Sequence, residues 1–182
     1  MKNLKNVYLE HEQRITVNMS NIKTVDLWSE QVSFMAEEHP FSSPAVFFAY
    51  RVLSAENLSE KLQQLRMQCD IYLFYETFAD TNRKAKNQQK ALNFLDDLAT
   101  INACFHCSNG KYFSEMSRTG FDPVETGGAG MLYVQRFQFT MLDDSAQILY
   151  KNLKFENMEV AVEKAVIAPG ENKAKLFDEI NT

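Results

Sequence analysis

Leu65-Arg66-Met67-Gln68-Cys69-Asp70-Ile71-Tyr72-Leu73-Phe74-Tyr75 decides the fold class. Leu65, Met67, Cys69, Ile71, Leu73 and Tyr75 share one parity, while Arg66, Gln68 and Asp70 share the other. Side chains alternate across a β-strand, so this stretch predicts a strand with one core face and one face that begins wet. The second face turns aromatic at Tyr72 and Phe74, which predicts that another element or a partner chain covers its far end.

Upstream, Pro44-Ala45-Val46-Phe47-Phe48-Ala49-Tyr50-Arg51-Val52 is short, opens with proline and is apolar on both parities. That pattern predicts a central strand buried on both faces. Between the two helical stretches described next, Ile22–Met35 fits two readings. Val25 and Leu27 alternate with polar residues, yet Trp28, Val32 and Met35 also suit a helical stripe.

Helical periodicity brackets these strands. Leu4, Val7, Tyr8, His11 and Ile15 recur at spacings of three and four, predicting a helix from Lys2 to Asn18. Ala91, Phe94, Leu95, Leu98, Ile101 and Phe105 form a second stripe. Asp80, Thr81 and Asn82 offer N-cap oxygens before it, and Asn109-Gly110 offers a stop after it.

Farther on, Gly120–Gly130 carries Pro123 and Gly127-Gly128-Ala129-Gly130 and reads as an exposed loop. Met131–Met141 alternates again, with Tyr133, Phe137, Phe139 and Met141 on one parity, and predicts a half-buried strand. Leu149–Val162 is strand-like, with Phe155 and Val160 among polar neighbours, and Asn172–Ile180 suits a short terminal helix. The reading is an α+β domain over 1–143: a mixed, largely antiparallel sheet with an N-terminal helix and one long central helix. Residues 144–182 form a C-terminal extension or assembly arm.

The 182 residues are 45% hydrophobic and 24% charged, with 14 Phe and 7 Tyr, which suits one well-filled core. A net charge of -5 opposes general capture of nucleic acid. The local basic cluster Arg83, Lys84, Lys86 and Lys90 lacks interleaved aromatics and reads as a solvated helix face. Three cysteines cannot all pair within one chain, which suits a reducing compartment. Charges interrupt every apolar run near the N-terminus, so a membrane span and a signal segment are not expected there.

Chemistry-bearing motifs are sparse. Cys104, His106 and Cys107 could ligate zinc, but a closed site needs a fourth ligand and no second Cys/His pair exists; half-buried thiols are the simpler reading. The glycine cluster lacks the lysine and hydroxyl of a phosphate loop and precedes a strand rather than a helix. Asp96-Asp97 and Asp143-Asp144 are adjacent carboxylates that point apart. His11, His39 and His106 have no nucleophile in a recognisable setting. We expect no catalytic, cofactor or metal residues; a site assembled in space from Cys104, His106 and the acidic pairs is the enzyme alternative.

The order of segments carries one further signal. An N-terminal helix, VDLW, PAVFFAYRV, QLRMQCDIYLFYETF, KALNFLDDLATINACF, GKYFSEMSRTGFDP and MLYVQRFQFTML follow in turn, including Ser117-Arg118-Thr119-Gly120. From about Asn6 to Asp143 this order resembles the phage tail terminator, or tail completion, proteins of Bacteroidetes phages and prophages. The resemblance implies helices packed on a mixed sheet and a non-enzymatic virion protein assembled in the host cytoplasm. It implies a ring, commonly a hexamer, that caps the tail tube and meets the neck or head-completion protein. Another neck or head-tail connector protein, or a non-virion assembly adaptor, is the alternative. On the residues themselves, Tyr72, Phe74, Phe121, Val124, Met131 and Phe155 are the candidate interface positions. The family pattern does not need the stretch after Ser145, which could add to a neighbour's sheet edge.

Overall fold

Alternation and helical stripes resolve into a five-stranded sheet carrying two helices on one face. The computed structural model describes residues 2–32, 41–76, 81–86, 88–126 and 130–148, all within the compact unit Met1–Tyr150. Helix α1 spans Lys2–Asn18, the bounds its periodicity predicts, and β1 (Thr24–Leu27) follows. Strands β2 (Ala45–Ser59) and β3 (Leu62–Tyr75) form a long hairpin. Helix α2 (Gln88–Phe105) then crosses to β4 (Ser114–Val124), and β5 (Met131–Asp143) returns between β3 and β4. The order β1-β2-β3-β5-β4 is antiparallel except where β1 runs parallel to β2. This is an α+β fold.

The odd-numbered face of β3 is the core face. Leu65, Met67, Cys69, Ile71 and Leu73 pack with Val7 and Ile15 of α1, Phe94, Leu98, Ile101 and Phe105 of α2, and Phe137, Phe139 and Met141 of β5. A smaller cluster sits on the opposite face at one end, where Val32, Trp28 and Phe41 meet Ala45, Phe47, Phe74 and Leu132. The Trp28 ring stacks on Tyr72 at 4.2 Å between centroids. The chain's own residues thus cover the aromatic end of the second face.

Five expectations are corrected. The stretch Pro44–Val52 is not central: β3 holds the middle, and β2 is buried only at Ala45–Phe48, where β1 flanks it. Its apolar run reports local burial by β1 and Phe41, not position in the sheet. Helix α2 starts at Gln88, because Asn82 spends its side-chain oxygen on Lys84 N–H (2.8 Å), closing a turn instead of capping the helix. It ends at Phe105, where Cys107 adopts a left-handed φ of 55° in place of the expected glycine stop. Leu95 leaves the stripe and is exposed, since 94, 98, 101 and 105 already fill the buried face.

The fifth concerns Gly120–Val124, which the sequence reads as loop but which is the second half of an edge strand. Pro123 is tolerated there because an outer edge makes no demand on its missing N–H, and two register shifts break the alternation that would have flagged the strand. Asp80, His39 and Gly127–Ala129 lie outside the described residues. So do Phe155 and the two stretches read as Leu149–Val162 and Asn172–Ile180. The expected boundary near Asp143 falls at the end of β5.

Arg14 ties α1 to the end of α2. Its guanidinium donates to the carbonyls of Cys104 (3.2 Å) and Asn109 (2.7 Å) and to Ser108 Oγ (2.9 Å), and pairs with Glu10 (3.0 Å). A cation at a helix C-terminus satisfies carbonyls that have no intrahelical partner.

Candidate functional site

A polar group buried in the core must find hydrogen-bond partners to offset its lost hydration. His11 is fully buried on α1, ringed by Phe48, Tyr50, Phe105, Phe113 and Phe139. Its Nδ1 lies 3.0 Å from the Tyr50 hydroxyl, which also bonds the Cys69 thiol, while Nε2 has no partner. An unpaired acceptor costs less than an unpaired donor, so Nδ1 carries the proton and donates to Tyr50, which donates onward to Cys69. Burial, reinforced by Arg14, lowers the His11 pKa to about 3. Burial likewise raises the Cys69 thiol and the Tyr50 phenol well above their usual values. A neutral imidazole and a protonated thiol, both fully buried, are joined through the half-buried Tyr50 phenol into a hydrogen-bonded chain that braces α1 against the sheet.

The Cys104–Cys107 motif resolves differently. Cys104 is half-buried on α2, whereas His106 and Cys107 are exposed just beyond it. Arg118 N–H donates to His106 Nδ1 (3.1 Å), which places the imidazole proton on Nε2, 3.4 Å from Cys107 Sγ. In that tautomer the imidazole donates toward sulfur and has no lone pair free to take the thiol proton. The geometry is that of a loop brace between α2 and β4, not an activated nucleophile. Among the described residues, no group of three His, Cys, Asp or Glu side chains is arranged to hold a metal ion.

The acidic pairs are also locally engaged. Asp97 accepts from the Tyr75 hydroxyl and from Asn21 (2.7 Å); burial, then Asp97, raises the Tyr75 pKa. Asp143 accepts from Ser145 N–H and Asp144 from Asn3. Arg83, Lys84 and Lys86 are exposed in the turns before α2 and Lys90 lies in its first turn, so the basic cluster straddles the helix start. These candidates for a spatially assembled site therefore lie apart. Among the described residues, no helix is long and apolar enough to cross a membrane.

No known family model matches the chain, and no curated protein does. Phe74 is fully buried in the smaller cluster, and Tyr72 and Val124 pack at its margin. Met131 packs against the main core. Phe121 is 45% exposed and stacks on Tyr133 at 5.4 Å. The expected interface residues thus divide between two faces of the sheet.

The residues that sequence reading missed are on the outer half of β2. Val52, Leu53 and Leu58 are 45%, 42% and 49% exposed on one strand. Their signal was present: the apolar run continues into Leu53, and Leu58 follows before the turn at Glu60-Lys61. The polar residues Ser54, Glu56 and Asn57 between them break the alternation, so the pattern alone ends the strand at Val52.

One buried polar residue, Gln135, links the edge strand to the helix. Its Nε2 donates to the Leu98 carbonyl (2.6 Å), and its Oε1 accepts from Arg118 (3.2 Å). Replacing Gln135 with Leu removes both bonds at a fully buried position, and we expect a loss of about 1–2 kcal/mol. Urea unfolding measures it; an unchanged midpoint would contradict the assignment.

Proposed function

We propose that this chain is a structural subunit of a phage tail, of the tail-terminator kind, that works as a ring capping the tail tube and facing the neck. The observation that carries the reading is architectural. Two helices on one face of a mixed sheet, in the order α1-β1-β2-β3-α2, correspond to the fold that the segment resemblance implies. The exposed apolar residues on β2 and Phe121 on the opposite edge strand supply surface for subunit contacts. Head-to-tail contacts that close into a ring stop tube growth by occupying its last face. The partners are further copies of the chain, the tail tube protein and a neck or head-completion protein.

Light scattering across a concentration range, with electron micrographs of large species, tests this. A ring-sized particle with a central hole supports it. A monomer that is also absent from purified virions favours the assembly adaptor instead. The extension provides a second test. Among the described residues, the last buried core side chain is Met141, and Ser145–Gln147 contributes no buried residue. Deleting Ser145–Thr182 should therefore leave a cooperative thermal transition within about 5 °C of the full chain, while ring or neck assembly is lost. A truncated chain without a cooperative transition would show that the extension belongs to the fold.

A further inference from the structure

The two edges of the sheet are finished differently. At the β4 edge, Ser108 bridges to Met116, His106 accepts from Arg118 N–H, and Pro123 has no N–H to offer. At the β2 edge, β1 pairs only with Ala45–Phe48, and among the described residues no strand pairs with Ala49–Ser59 on that side. A long edge with unpaired backbone groups and exposed Val52 and Leu53 is a template for another strand.

The bulge at Leu53 dictates which strand fits. Val52 lies opposite Met67 and Ala55 opposite Leu65, so both side chains belong to the helix-bearing face. Arg51 lies opposite Gln68 and Glu56 opposite Gln64, so both belong to the other face although their parities differ. Trp28 N–H donates to the Phe48 carbonyl (2.9 Å), which fixes Phe48, Tyr50 and Val52 as residues whose backbone groups turn to the outer edge. Beyond the bulge, Ala55 and Asn57 take over that role.

We propose that this edge pairs with the same edge of a second copy in an antiparallel two-fold contact, with Val52 opposite the partner's Ala55 and Arg51 opposite the partner's Glu56. In this register outward-turned backbone groups meet, as Val52 with the partner's Ala55 and Tyr50 with the partner's Asn57. Arg51 and Glu56 then fall in the closer, non-hydrogen-bonded positions on one face, where opposite charges attract, and the two-fold axis repeats the pair. Sliding the strands by two residues sets Arg51 against Ser54 or Leu58 and forfeits both pairs. Val52 and Leu53 become covered beside the axis. This pairing goes beyond the tail reading, since a head-to-tail ring is built through a different contact.

Charge reversal in the full chain tests it by sedimentation equilibrium at low salt. Arg51→Glu and Glu56→Arg should each weaken self-association roughly tenfold or more, because two attractive pairs become repulsive. The double variant R51E/E56R restores both pairs and should recover wild-type association. Both side chains are exposed, so circular dichroism should show every variant folded. A wild-type chain that stays monomeric overturns the pairing, as does an oligomer, rings included, whose mass ignores Arg51→Glu. Loss in the single variants without recovery in the double also overturns it. A ring unaffected by all three variants would reject this contact while leaving the tail reading standing.

Discussion

Lowering the pH from 7.5 to 5 should destabilise the wild-type chain by about 2 kcal/mol more than the His11→Phe variant. The native His11 pKa is held at about 3 by burial and then by Arg14, whereas an unfolded histidine titrates near 6.5. Between those values the unfolded chain binds a proton that the native imidazole refuses. The stability contributed by the neutral ring is therefore complete above about pH 6.5 and declines as pH falls, by about 1.4 kcal/mol per unit. By pH 3 the loss from this one group is on the order of 4 kcal/mol.

The groups facing His11 offer no rescue. Arg14 on the same helix repels an imidazolium, Tyr50 and Cys69 are neutral, and the remaining neighbours are phenyl rings. Phenylalanine at position 11 removes the titrating group and the unpaired Nε2 but forfeits the bond to Tyr50, about 1 kcal/mol at neutral pH. Because the carboxylates titrate alike in both chains, the difference between the two curves isolates His11. Parallel stability profiles from chemical denaturation across this range would show that the imidazole is not held neutral.

Phe105→Ala is expected to cost about 3–5 kcal/mol, whereas Phe121→Ala should cost no more than about 1 kcal/mol. Phe105 is fully buried at the point where α1, α2, β2 and β5 converge, with its ring 5.1 Å from His11, 5.8 Å from Phe137 and 6.2 Å from Phe48. Truncation leaves a cavity that four rigid elements cannot close. Phe121 has the same chemistry on an edge strand, half in water against Tyr133, so truncation forfeits one ring stack and little burial. Urea midpoints for the two variants compare core against edge directly. Equal losses would mean that the helices do not close over β3 as described.

The contrast between those two phenylalanines also marks where local sequence information ends. The period of two in Leu65–Tyr75 and in Met131–Met141 and the stripe in Leu4–Ile15 belong to single elements, and the elements they predict are present. The second helix was legible through Phe94, Leu98, Ile101 and Phe105, but its start was not, since Asn82 caps a turn with the same oxygen that would cap a helix. The candidate site was less legible. Tyr72 and Phe74 were marked as aromatic and needing cover, yet no pattern in β3 could say that Trp28 and Phe41 provide it.

By itself, then, the sequence determined the class of the fold, the phase of its two clearest strands and the inward face of its first helix. Each of these follows from side-chain spacing along one stretch of backbone. Only the tertiary structure decided that β3 is central, that Gly120–Val124 is an edge strand, that His11 is sealed beside Tyr50, and that β2 projects past β1 with Val52 and Leu53 exposed. Those outcomes depend on which distant segment arrives alongside, and the hydrogen bonds and contacts between strands far apart in the chain leave no period within either one.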